Sequence, residues 1–352
     1  MYSKNSLFLI TSSILLFTVS LFSIADTPSE PEISADYRAT PEQLLERYPY
    51  AVMSYLSEMD SILTSGEQGK QVFIIFRLSY LGSLGIQLIA DPLAIPEKWR
   101  RHFIDTQEKT ITPGQKSHQI IGQLSIPDST IKVRIFKQTK DLAADADHDQ
   151  ENKIILALSG EKSNKAFQCL ITEIKPLRSD RSDCSLSLKQ LQNITELAES
   201  FKQLYPYHSL EVTGYSYSGA VAQVVMLSSE AIDRAYIFNS FGTHPSWIKT
   251  MPGDKLANIH HSYIEGSFIY GQGYNLVSRY SRWRLPQNKV VVPGMKISSS
   301  GHESQIRKIY QLNHRDSWLD TLYNFTTNGW ILHSKESVLR AFEAHLNLNF
   351  PW

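Results

Sequence analysis

The sequence has no charge of one sign to spare. Lysine plus arginine and aspartate plus glutamate number 35 each in 352 residues, and no basic face stands out. A polyanionic partner needs a cationic footprint, so no nucleic-acid partner is expected. Metal-ligand spacings are missing as well. There is no HExxH and no CxxC, and His244, His260 and His261 are not set out like ligands, so no metal and no cofactor is implied. Asp145, Asp147 and Asp149 alternate, but Gln150 and Leu156 stand where a calcium loop needs glycine and glutamate, which leaves a solvated acidic loop. Repeats and low-complexity tracts are lacking, which excludes an array architecture. Cysteine is scarce. Cys169 and Cys184 close a loop of about 15 residues that would contribute roughly 3 kcal/mol if bridged in an oxidising compartment, two buried thiols being the alternative.

What is there begins with an address. Lys4 precedes an uncharged run from Ser6 to Ala25, which closes on Ser23-Ile24-Ala25 before the acidic, proline-rich Asp26 to Pro31. This pattern is that of a secretory signal with a small-x-Ala cleavage site, and an exported protein, periplasmic or secreted, is expected. A run of about 20 residues would also just span a bilayer as an uncleaved N-terminal anchor. No cysteine sits at the cleavage site, which excludes lipidation there.

After a polar lead-in, Leu44, Leu45, Tyr48, Val52, Tyr55, Leu56, Met59 and Leu63 form a helical stripe opened by Thr40-Pro41 and stopped at Gly66. The run Val72 to Ala90 is almost wholly apolar. Arg77, Gln87, Gly82 and Gly85 argue for a buried or surface-docking helix rather than a second membrane segment. Glu97 to Ile104, with Trp99, Arg100, Arg101 and His102, reads as a solvated amphipathic turn. Ser117–Ile126 and Ile131–Thr139 alternate around Pro127-Asp128-Ser129 as a hairpin, with which the sheet is expected to begin. Lys153–Leu158 reads as a fully buried strand. Leu188, Leu191, Ile194, Leu197, Phe201 and Leu204 share one helical face. Residues 266–286 are rich in aromatics interleaved with arginine, which suits either a lipid-facing rim or an excursion packed on the core.

The chain is organised around Leu210 to Gln223, where a short apolar strand ends in Gly214, Ser216 follows, and small residues lead into the apolar run Ala220–Leu227. A strand-turn-helix with a serine at its apex strains the backbone and demands minimal side chains two residues to either side. Gly214 meets that demand, and Ser218 meets it only in part. Ser218 is also the poorer nucleophile, since its own flanks are Ser216 and Ala220.

Tyr205 to Ala222 resembles the "YP…l.vtGHSLGGALA" segment of the class 3 lipase branch of α/β-hydrolases. Ile154–Ser163 is similar to that family's strand ending in "FRGT", Ala235–Pro245 to the strand ending in "FGsP", and Ile259–Phe268 to the strand that carries the acid. The resemblance covers roughly residues 116–348. It implies an α/β-hydrolase fold, a mostly parallel sheet flanked by helices. The expected division is a signal at 1–25, an N-terminal helical extension at 26–115 and a hydrolase domain at 116–352.

A serine hydroxyl needs an imidazole to take its proton, a carboxylate to hold the imidazole, and backbone amides for the oxyanion. The resemblance places those amides at Tyr217 and Glu161, the latter where the family has threonine or serine. The acid falls at Glu265, with Ser267 the other alignment. The base falls at His333, ahead of an amphipathic helix, with His314 as the alternative and His302 a further late histidine. The expected activity is hydrolysis of carboxylic esters, lipid or phospholipid esters in particular, with a membrane surface as a further contact. The rival expectation is a degenerate member that keeps the fold as a binding surface, suggested by Ser218, Glu161 and the missing aspartate.

Overall fold

The computed structural model describes residues 39–59, 68–112, 115–127, 129–139, 152–160, 188–240, 255, 258–264, 288–292 and 335–348. All of them belong to the compact unit Tyr37–Trp352. Helix α1 (Pro41–Ser57) starts where a capping box fixes it: Gln43 N donates to Thr40 Oγ1 at 3.3 Å, and Thr40 N donates to Gln43 Oε1 at 3.0 Å. Leu44, Tyr48, Val52 and Leu56 of the expected stripe are buried, whereas Leu45 is 58% exposed.

The apolar run that follows is one helix only as far as α2 (Gln68–Ser83). Gly85 then adopts φ +68°, and strand β1 (Ile86–Leu88) begins. A Cβ at Gly85 would lie 2.8 Å from the Thr139 carbonyl oxygen, so the close approach of β1 to its neighbour also requires glycine. Among the described residues no helix is long and apolar enough to cross a membrane. The short helix α3 (Glu97–Arg100) corrects the expectation of a solvated turn. Trp99 is 2% exposed and its indole N–H donates to Ser200 Oγ at 3.3 Å.

Strand β2 (Phe103–Thr112) pairs antiparallel with β3 (Gln115–Ser125), which forms the expected hairpin with β4 (Lys132–Gln138). The segment expected to be a helical extension therefore also contributes β1 and β2, and the sheet begins before the hairpin. Strand β5 (Lys153–Ser159) pairs antiparallel with β4. From β5 onward every pairing is parallel, through β6 (Ser209–Tyr215), β7 (Arg234–Phe238), β8 (Ile259–Ile264) and β9 (Asn288–Val292). The order is β2-β3-β4-β5-β6-β7-β8-β9, with β1 on β4.

Period-2 alternation sends β5 side chains to two cores. Ile154, Leu156 and Leu158 join helices α4 (Leu188–Leu204) and α5 (Ser216–Ser228) on one face. Ile155 and Ala157 join α1 and α6 (Lys335–His345) on the other. The face of α4 that carries Leu191, Ile194, Leu197 and Phe201 is buried, each side chain contributing about 1.5–3 kcal/mol, while Leu204 at its end is 42% exposed. The α1 face is unusually polar, and sheet side chains take carbonyls of α1. Thr213 Oγ1 donates to Tyr50 O at 3.3 Å, Gln123 Nε2 to Ser57 O at 3.4 Å, and the buried Arg134 to Leu56 O. The result is a mixed α/β layer structure with helices on both faces and the carboxyl ends of β5 to β9 along one edge.

Candidate active site

Tyr215 closes β6 in extended geometry (φ −121°, ψ 140°), and Ser216 opens α5 at φ +54°. A left-handed non-glycine residue costs about 1–2 kcal/mol, and here the strand and helix on either side hold it there. Ser216 stays half-buried at the carboxyl edge of the sheet.

The two small positions that the bend requires are both present, but one is shifted. A Cβ at Gly214 would sit 2.5 Å from Ser218 O and 2.8 Å from Gly219 N. A Cβ at Gly219 would sit 2.7 Å from Ser240 Cβ, so the end of β7 passes the helix at 219 rather than 218. Sequence reasoning missed that role, although the glycine directly after Ser218 signals it. Ser218 is buried, and its hydroxyl donates to Tyr215 O at 2.8 Å while accepting from Tyr215 N at 3.1 Å. That hydroxyl fastens the helix start back onto the strand end, which accounts for a serine there and leaves Ser216 as the apex hydroxyl.

Tyr217, the expected amide donor, turns its ring toward the end of β5. A Cβ on Gly160 would lie 2.9 Å from Tyr217 Cδ1. The chain thus leaves β5 beside the elbow, and Glu161, the next residue, lies outside the described residues. Beneath the elbow is a buried polar cluster. Asn239 (φ +42°) donates from N to Ser262 O at 2.9 Å, Ser240 N donates to His261 Nε2 at 3.3 Å, and Gln223 Nε2 donates to Ser240 Oγ at 3.1 Å. His261 Nε2 is therefore an acceptor, which puts the proton of the neutral ring on Nδ1.

Glu265, His314 and His333 also lie outside the described residues, as do Ser267, His302, Cys169 and Cys184. Two of them are close in sequence to described elements. Strand β8 ends at Ile264, one residue before Glu265, and α6 starts at Lys335, two after His333. Lys335 Nζ is 3.2 Å from Oε2 of Glu58, the residue that follows α1. Burial first, and then the Glu58 charge, hold the Tyr215 phenol far above its ordinary range. The start of α6 and the end of α1 therefore meet, close enough to the elbow for the Glu58 charge to act on Tyr215.

At the other end of the sheet, His260 Nδ1 lies 3.5 Å from Arg47 Nη2 and its ring stacks on Tyr236 at 4.7 Å. Burial and the Arg47 charge press its pKa from 6.5 to about 4, so it is neutral near pH 7. Among the described residues no group of three or more His, Cys, Asp and Glu side chains is gathered for a metal ion.

Comparison with family models and with curated sequences gave no match. Among solved structures the chain is similar to a Rhizomucor miehei lipase propeptide complex, a deletion mutant, at 12% identity over 70% of this chain and 76% of that one. The TM-score is 0.33, too low to carry an inference about this chain.

Proposed function

We propose that the protein is an exported serine hydrolase that cleaves carboxylic esters, lipid or phospholipid esters in particular, through an acyl-enzyme on Ser216. The observation that carries this reading is the left-handed backbone of Ser216 between a parallel strand and a helix. A serine in that conformation costs stability and presents its Oγ at the carboxyl edge of the sheet, where ligands of open α/β sheets bind. In the proposed reaction Ser216 Oγ attacks the ester carbonyl carbon while His333 takes its proton. The oxyanion is held by the amides of Tyr217 and Glu161, and the departing alcohol leaves with the proton from His333. Water, deprotonated by the same imidazole, then releases the acid and restores Ser216. Glu265 is the carboxylate that the sequence resemblance assigns to the imidazole. The preference for lipid esters rests on that resemblance and on the aromatic stretch at 266–286.

The rival reading, a degenerate fold that only binds, loses one of its three supports, because Ser218 has a structural task of its own. A fluorophosphonate probe separates the two. Covalent labelling of the folded protein that disappears in Ser216→Ala is the expected result. An unlabelled but folded wild type favours the binding reading.

A further inference from the structure

Strands β6 and β7 end side by side, each on a residue with left-handed backbone. Tyr215 pairs with Phe238, and the residues that follow this pair, Ser216 at φ +54° and Asn239 at φ +42°, both leave the strand conformation. The first bend opens α5, and the second brings Ser240 against the start of that helix. Ser240 Cβ stands 2.7 Å from where a Gly219 side chain would begin, and Ser240 Oγ accepts from Gln223 Nε2 at 3.1 Å. Gly219 falls within the first turn after Ser216, so the turn that starts at the nucleophile rests on Ser240.

What holds Ser240 there is a side chain. Asn239 N still donates to the backbone of β8, at 2.9 Å from Ser262 O. Past the left-handed residue, Ser240 N donates instead to His261 Nε2 at 3.3 Å. Period-2 alternation puts His261 on the face of β8 where Ile259 joins the apolar core with α5, and the imidazole is fully buried. An aliphatic side chain would fill that place without the cost of burying a polar ring, whereas the ring supplies an acceptor to a backbone amide. From the opposite face Arg47 of α1 donates to His261 O at 3.2 Å and to Ser262 Oγ at 3.1 Å, which fixes the stretch of β8 that carries the ring.

We propose that His261 is a positioning residue for the nucleophile: its ring fixes Ser240, Ser240 fixes the first turn of α5, and that turn sets where Ser216 Oγ stands. This rests on the proposed function. The turn is held at two points. Ser218 Oγ ties it to the end of β6, accepting from Tyr215 N at 3.1 Å and donating to Tyr215 O at 2.8 Å, and Ser240 braces it from the end of β7. The first fastening lies on the strand from which the helix springs, so the second is what fixes the direction of the turn. His261 carries no proton in the cycle. It takes part as the neutral ring protonated at Nδ1, with Nε2 as the acceptor. Its leverage comes from the narrow tolerance of the reaction, in which a displacement of about 1 Å caused by a change far from the chemistry costs about 10²-fold in rate.

The test uses the full chain with a short-chain p-nitrophenyl ester and a fluorophosphonate. His261→Gln, whose carboxamide oxygen reaches the place of Nε2, is compared with His261→Asn, whose carboxamide stops short of it, and with His261→Phe, which keeps a ring without an acceptor. For each, kcat, KM, the labelling rate of Ser216 and thermal melting are measured. His261→Asn and His261→Phe are expected to lower kcat and the labelling rate by about 10–100-fold with KM little changed, and His261→Gln to recover most of that loss. In a Ser240→Gly background, which lacks the side chain that bears on Gly219, the Asn and Gln variants should be alike. A His261→Phe enzyme within about threefold of wild type, equal losses in the Asn and Gln variants, or a difference that survives Ser240→Gly overturns the positioning role, while labelled Ser216 leaves the hydrolase reading standing. A wild type that is folded but unlabelled overturns both. If His261→Phe does not fold, the Asn and Gln pair decides by the same comparison.

Discussion

The two glycines of the elbow are restrained by different kinds of atom, and that difference can be measured. A methyl group at Gly214 would meet Ser218 O at 2.5 Å, Ser218 C at 2.6 Å and Gly219 N at 2.8 Å, all backbone atoms of the helix start. At Gly219 it would meet Ser240 Cβ at 2.7 Å and Ser240 Oγ at 2.8 Å, atoms of one removable side chain, with Gly214 O at 3.0 Å. Overpacking a tight site costs about 1–3 kcal/mol. Gly214→Ala, whose obstacle cannot step aside, is expected at about 3 kcal/mol, and Gly219→Ala at about 2 kcal/mol. Ser240→Gly alone loses the Gln223 hydrogen bond, worth about 1 kcal/mol. Combined with Gly219→Ala, however, it should show a favourable coupling of about 1–2 kcal/mol, and with Gly214→Ala none. Urea midpoints at constant slope give these values, and melting temperatures should follow at about 1–2 °C per kcal/mol, as the unfolding entropy of a chain this long implies. A Gly214→Ala protein as stable as wild type, or one rescued by Ser240→Gly as well as Gly219→Ala is, would refute the account of the bend.

The remaining predictions concern buried charge. His260 has its folded pKa pressed to about 4 from 6.5, so the unfolded chain binds the extra proton between these values, and stability present near pH 7 is lost as pH falls through that window. The shift corresponds to about 3 kcal/mol. His260→Phe, which keeps a ring on Tyr236, should flatten the dependence of the urea midpoint on pH between 4 and 6.5, and an unaltered slope would count against it. Arg77 pairs with Glu343 at 3.0 Å, and both are almost fully buried. Arg77→Met should therefore cost about 3–5 kcal/mol, and Arg77→Met/Glu343→Leu should recover much of it. A double variant no better than the single one contradicts the buried-charge explanation. Burial already raises the Glu343 carboxyl, so the folded state holds its proton to higher pH than the unfolded chain does. The Arg77→Met penalty should accordingly grow as pH rises above the ordinary carboxylate range and shrink in acid, as denaturation at several pH values would show.

Local pattern carried the elements whose fate is decided nearby. The buried face of α4, the β3–β4 hairpin and the strand-turn-helix at Ser216 were all legible, because period, turn residues and small side chains act within a few positions of one another. Elements decided by distant partners were not. The run Val72 to Ala90 looks like one helix, but Gly85 lies against Thr139, and the chain turns there to pair with β4. Trp99 sits among charges in sequence yet is buried against α4, and Leu45 sits in an apolar stripe yet faces solvent. The site divides the same way. The bend at Ser216 could be read directly, whereas its close approach on the helix side falls at Gly219 rather than Ser218, because Ser240 of a distant strand end passes there.

The hydroxyl of Tyr48 donates to Glu343 at 2.8 Å across 295 positions of sequence. The sheet covers one side of α1 through Ile155, Ala157 and Tyr236, but the side that carries Tyr48 is completed only by α6, 295 positions later. Ring closures of that span are slow, and exposed tyrosines and leucines are what general chaperones hold. The docking of α6 on α1 is therefore a late, non-local step of assembly, made on a helix whose sheet side can already be covered.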